Sequence, residues 1–384
     1  MNFDLSEEQR LLKDSVERLM LDSYGFDQRR KYQAEACGFS EVMWARYAEL
    51  GLLALPFSEE HGGFGGGAVE TMIVMEAFGK ALILEPYFTT AILAGGILRH
   101  GATEPQKAEL IPAIAKGHLK LAFAYAEPQS RYDLFDVETQ AKKEGDGWRL
   151  DGVKALVLHG AAADNIIVSA RTSGASRNED GIGLFLVGRN ATGLKSRSYS
   201  TQDGLRAAEI RLENVRVEAA NVIGDPSGAF PVISRVADEA VAALCAEAVG
   251  CFAEMQTITL DYLKTRKQFG TTIGSFQALQ HRAVDMFVEL EQSRSMAMYA
   301  TMMASENNPS ERERAISAAK AQIGQSAKTI GRQSIQLHGG VGMTMEHSIG
   351  HYFKHVTMID MLFGDADHHL RRLALLGGLP AEIE

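Results

Sequence analysis

Twice along this chain the hydrophobic period changes, and few architectures accommodate that. From Ser6 to Met20 the apolar positions Leu11, Leu12, Val16, Leu19 and Met20 recur at helical spacing. Ser6 followed by Gln9 predicts a capping box at the start of that helix. Ser40 predicts the cap of a second helix that Gly51 ends, and further helices are expected over 68–79, 89–99 and 105–115. Between about Leu119 and Ile223 the runs become short and strand-like, as in 119–125, 165–170, 182–187 and 207–212. Asp146-Gly147 reads as a hairpin turn, and the spacing leaves little room for crossover helices. From Ala229 helical periods return over 237–266, 276–305, 312–338 and 348–376, the last broken at Gly364.

The expected fold is α+β and multidomain. A helical domain covers 1–117, an antiparallel β-barrel or sandwich covers 118–225, and a four-helix bundle covers 226–384. Lys plus Arg is 39 against Asp plus Glu of 49, a net charge of −10 that argues against a nucleic-acid partner. The three cysteines, Cys37, Cys245 and Cys251, have no C-x-x-C spacing, so no metal site and no disulfide framework is expected. The most apolar stretch, 81–98, is interrupted by Glu85 and Pro86, so no membrane span is expected. With no signal-peptide pattern after Met1, the expected compartment is the reducing cytoplasm.

Several strings carry chemistry. Arg266-Lys267-Gln268-Phe269-Gly270 precedes Phe276-Gln277 and Gln280, and Gln336-Leu337-His338-Gly339-Gly340 precedes Gly342. An arginine offers a planar fork to a pyrophosphate, and paired glycines let backbone N–H groups approach phosphate oxygens. Weaker strings are Leu50-Gly51-Leu52-Leu53, Gly62-Gly63-Phe64-Gly65 and Glu127-Pro128. Gly63-Phe64-Gly65 with Ala68 also fits a Rossmann fingerprint, which would mean a nicotinamide-dependent enzyme, but no run of βαβ units follows it.

Taken together, and in this order, the strings resemble the acyl-CoA dehydrogenase family of flavoproteins over nearly the whole chain. The ending Leu362-Phe363-Gly364-Asp365-Ala366-Asp367-His368-His369 is similar to small subunits of pimeloyl-CoA-type dehydrogenases, which pair with a larger homologous subunit. The resemblance implies FAD as cofactor, an acyl-CoA thioester as substrate and an electron-transfer flavoprotein as acceptor. It implies a homotetramer or an α2β2 heterotetramer, with FAD between the β-domain and the bundle near a subunit interface. It also assigns Arg266, Phe269, Gln277, Gln336, Gly339 and Gly340 to the cofactor, reaching toward the flavin of a neighbouring subunit. Asp238 matches a substrate-contacting position.

The sequence departs from the family where the flavin ring and the catalytic base belong. The usual Thr-Glu-Pro-Gly is Ala126-Glu127-Pro128-Gln129, and the usual Trp and Thr of the next strand are Leu156 and Leu158, with His159 beside them. Phe123 keeps an aromatic. The usual base position holds Phe363, and the alternative on the first bundle helix holds Ala240. Asp365, Asp367, Glu239 and Glu247 are spare carboxylates nearby in sequence, and of these Asp365 is the candidate base. Three readings follow: an FAD-dependent acyl-CoA dehydrogenase subunit, a base-lacking partner of a catalytic homologue, and an oxidase on the same scaffold.

Overall fold

The computed structural model describes residues 5–377, which form two compact units. One comprises the chain through Lys31, residues 68–83 and everything from Val241 onward; the other comprises 32–67 and 84–240. Among the described residues no helix is long and apolar enough to cross a membrane.

The first third is helical: α1 (Glu7–Ser23), α2 (Phe26–Gln33), α3 (Glu41–Glu49), α4 (Ala68–Ala81), α5 (Gly95–Gly101) and α6 (Glu104–Ala115). Ser6 and Gln9 close the capping box on α1, and Ser40 caps α3 through Met43 N–H. The stretch expected as one helix over 89–99 begins as a π-helical segment, Phe88–Ala94, before α5.

The middle of the chain forms β1 (Leu121–Ala124), β2 (Gln140–Glu144), β3 (Gly147–Leu158), β4 (Asn165–Arg171), β5 (Ile182–Gly188), β6 (Leu194–Ser200), β7 (Arg206–Val217) and β8 (Val222–Ile223). Their order is β6-β7-β3-β2-β4-β5-β8, with β1 beside β4. The sheet is open and sandwich-like. Most neighbours are antiparallel as expected, but β1 and β2 each run parallel to β4. β4 meets β1 from Asn165 to Val168 and β2 only at Arg171, so the sheet divides there. Its core includes Leu150, Val157, Ile166, Val168, Phe185, Ile210, Leu212 and Val215. The β2–β3 turn falls one residue earlier than expected: Glu144 pairs with Gly147, and Gly145, at φ 62°, makes the reversal with Asp146.

The last third contains α7 (Phe230–Thr265), a small hairpin of β9 (Lys267–Gln268) and β10 (Thr271–Thr272), α8 (Gln277–Met303), α9 (Pro309–His338), α10 (Ser348–Met361) and α11 (Ala366–Leu375). α9 is the hub, packing against α8, α10 and α11. It buries Ala315, Ala319, Ile323, Ala327, Ile330, Ser334 and Leu337 at helical spacing. Small residues permit close crossings. A Cβ on Gly250 of α7 would stand 2.0 Å from Glu76 O on α4, and one on Gly79 of α4 would stand 1.9 Å from Glu247 O on α7.

Candidate functional site

The two strings assigned to the cofactor come together at one end of the bundle. α7 ends at Thr265, and Arg266 N–H donates to Tyr262 O at 2.9 Å. The β9–β10 hairpin then reverses through Phe269 and Gly270, whose φ angles are 55° and 79°. Phe269 stands 92% exposed, with its ring edge-to-face against Phe276, 6.2 Å between centroids. Gln277 is the exposed first residue of α8. Arg266 is exposed, and among the described residues no carboxylate pairs with it. An arginine so placed retains its full donor fork for a ligand.

Gln336, Gly339 and Gly340 lie where α9 ends. Gly339 has φ 58° and caps the helix, its N–H donating to Gln336 O. All three residues are exposed, and a Cβ built on Gly339 or Gly340 would meet nothing within 4 Å. Gly342, in contrast, is packed: its Cβ would stand 3.0 Å from His338 Cβ. The His338 ring stacks on Tyr262 at 4.5 Å and 29°, which connects the two strings. Its Nδ1–H donates to Ser334 O at 2.8 Å, while the buried Nε2 has no partner among the described residues. Burial holds its pKa below the ordinary value, with His347 adding to the effect.

The candidate base lies on a separate loop. Asp365 is the N-cap of α11, accepting His368 N–H at 2.8 Å, and is half-buried. Phe363 and Gly364 precede it at φ 58° and 113°. A Cβ on Gly364 would stand 2.5 Å from His368 and 2.8 Å from His369, so only glycine fits. Fully buried Lys320 holds this loop, donating to Asp360 O at 2.8 Å and Gly364 O at 2.7 Å. His369 donates to Phe363 O at 3.1 Å and accepts from Ser317. Burial pushes Lys320 down to about 8 and, with the Lys320 charge, His369 down to about 2. Phe363 is 8% exposed and Ala240 is fully buried, so apolar side chains fill both positions that the family resemblance assigns to the base.

Of the other acids near these positions, Asp367 is exposed on α11, whereas Asp238, Glu239 and Glu247 are buried or engaged. Asp238 on α7 is 3% exposed. Glu239 is gripped by Arg99, His100 and Arg235; burial opposes its ionisation, but these partners prevail and bring its pKa down to about 2. Glu247 accepts from His355 at 2.8 Å.

In the sheet, Glu127 of the Ala126–Gln129 string is a buried strut. It accepts Glu138 N–H at 2.8 Å, Thr139 N–H at 3.1 Å and Lys154 Nζ at 2.7 Å. Burial works to raise its pKa, and the Lys154 charge and hydrogen bonds overcome this to hold it below the ordinary carboxylate value. Lys154 also reaches Ser169 at 3.1 Å. Ala126 O accepts from Ala155 N–H, so the string is tied to β3 by backbone despite the missing hydroxyl. His159, at φ 53°, donates to Leu84 O and is pushed by burial to about 4, which fits a neutral structural ring. Sequence reading missed Lys154, and it missed Arg171, which gives its guanidinium to five carbonyls: Phe135, Val137, Ser176, Asn178 and Asp180. Each lies within an otherwise apolar strand run, which was the only available signal.

Comparison with known proteins agrees along the whole chain. The family model for the acyl-CoA dehydrogenase N-terminal domain matches residues 6–118, that for the middle domain matches 122–215, and that for the C-terminal domain matches 230–375. The chain is 30% identical to a probable acyl-CoA dehydrogenase, YngJ, of Bacillus subtilis (strain 168), covering 98% of each. A variant of the Tcur3481-Tcur3483 steroid ACAD is 28% identical with a TM-score of 0.86, over 97% of this chain and 98% of that one. The FAD complex of PigA is 25% identical with a TM-score of 0.89, over 99% and 100%.

Proposed function

The chain belongs to the acyl-CoA dehydrogenase family, FAD-dependent oxidoreductases acting on CH–CH bonds, and from that premise we propose that it α,β-dehydrogenates an acyl-CoA thioester as one subunit of an oligomer. The observation that carries this reading is the clamp: an exposed arginine with no carboxylate partner among the described residues, facing solvent with two open glycines at the end of one bundle. These residues fit a dinucleotide. Arg266 would hold the pyrophosphate bidentately, and Gly339 and Gly340 would offer backbone N–H groups to it. Phe269, exposed and poorly covered by its own chain, would pack on the adenosine part, with Gln277 and Gln336 as hydrogen-bonding neighbours. When bound, FAD supplies the acceptor for the β-hydride.

Asp365 is our candidate for removing the α-proton, and Asp238 for contacting the substrate. The double brace by Lys320 and His369 supports the first assignment, because a general base works only when held in reach of its proton. The N-cap bond from His368 N–H, which engages the Asp365 carboxylate, favours a second reading. With Phe363 and Ala240 at the family's base positions, the chain would clamp a cofactor for a catalytic homologue. The relative named for two components, Tcur3481 and Tcur3483, supports a heteromeric assembly, of which an α2β2 heterotetramer is our candidate beside a homotetramer. An electron-transfer flavoprotein would take the electrons, and the three free cysteines fit a reducing cytoplasm. The test is purification of the chain alone and co-expressed with a homologous large subunit, followed by acyl-CoA oxidation with a flavoprotein acceptor or oxygen. Turnover by the chain alone supports the first reading; turnover only in the pair supports the second.

A further inference from the structure

We propose that the Tyr262–His338 ring stack is the positioning device of the dinucleotide clamp, setting Arg266 against the Gly339-Gly340 turn. This rests on the FAD reading above and names residues that act through others. Tyr262 lies one helical turn before Arg266 and receives its backbone N–H. Its ring stacks at 4.5 Å on His338, which is only 2% exposed and immediately precedes Gly339. The same imidazole has His347 on it at 4.8 Å and 56°, and His347 caps α10 by accepting Ile349 N–H. Gly342 packs on the His338 Cβ. One buried ring therefore joins the end of α7, the end of α9 and the start of α10. The residues it places, Arg266, Gln336, Gly339 and Gly340, are all exposed, and Arg266 and Gln336 have no side-chain hydrogen bond of their own among the described residues. Ordering such groups on binding costs affinity unless something fixes them beforehand.

The bond to Ser334 O fixes the imidazole proton on Nδ1 and leaves Nε2 bare. A neutral ring can lie flat on a phenol without desolvating a charge. Core filling alone would give the stack an effect on stability and none specific to the cofactor.

The experiment is FAD titration of the full chain in its native assembly by flavin fluorescence, beside melting of the FAD-free protein. Tyr262→Leu and His338→Leu should each weaken FAD binding about tenfold, and the double variant should be no weaker than the worse single, because both remove one contact. Tyr262→Phe, which keeps the ring, should bind within about twofold of the parent. Leucine variants that melt earlier but bind FAD like the parent would overturn the proposal, as would losses that simply add. If His338→Leu does not accumulate, His338→Gln takes its place. Arg266→Ala separates the two levels: unchanged binding there refutes the cofactor reading itself, whereas lost binding there with intact leucine variants refutes only the brace.

Discussion

One substitution at Asp365 separates the cap it forms from the catalytic role proposed for it. As N-cap it satisfies His368 N–H, and asparagine caps a helix about as well as aspartate. Asp365→Asn should therefore keep the melting temperature nearly unchanged. If Asp365 is the base, steady-state turnover should fall about 10²- to 10⁴-fold. Near-parental turnover would move the base elsewhere, to another carboxylate of this chain or to another subunit. His159 gives a second single-residue prediction. Its pKa is about 4 in the folded chain and near 6.5 when unfolded. A group depressed by burial contributes stability that is complete above the unfolded value and is lost as pH falls through the window from 6.5 to 4. The contribution is on the order of 3 kcal/mol. Melting followed across that window should show a shallower acid loss in His159→Asn, a residue that tolerates the positive φ.

Strand β3 depends on a charge pair that its pattern hides. Lys154 and Glu127 are both buried, at 0% and 2% side-chain exposure. Lys154→Met should destabilise the fold by about 3–5 kcal/mol because it strands a buried carboxylate, and adding Glu127→Gln should recover much of that. Denaturant unfolding of the single and double variants checks it. The same hidden chemistry explains what could be read in advance. Ser6 with Gln9, Ser40 and Gly51 were legible, since capping is a local interaction of a few residues. α2 was not, because Phe26–Gln33 carries almost no apolar face. β6 was not, because nearly every residue from Leu194 to Ser200 is exposed. Lys154, Lys320 and Arg171 drew no reading from the sequence, since only tertiary carbonyls and carboxylates reveal them as staples. The clamp residues were legible as strings, but the Tyr262–His338 stack that joins them, 76 residues apart in sequence (338 − 262), was not.

The whole chain keeps one half of a family's equipment and alters the other. Retained are the exposed arginine, glycines and glutamines that the family resemblance assigns to a neighbour's cofactor. Altered are Ala126, Leu156 and Leu158, which the resemblance places on the ring side, and Phe363 and Ala240, which it places at the base positions. That division predicts an assembly in which flavin stoichiometry, not only activity, depends on the partner. Arg266→Ala should lower FAD content of the purified assembly several-fold, because an anion would lose its charge-assisted fork. The most direct measurement is anaerobic mixing of the flavin-loaded protein, alone and with its co-expressed large homologue, with a panel of acyl-CoA thioesters while the flavin's blue absorbance is followed. Bleaching by at least one thioester, abolished when Arg266→Ala strips the flavin, is the result predicted here. Preparations that hold no flavin in either form, or that hold it and are bleached by none of the thioesters, would contradict it.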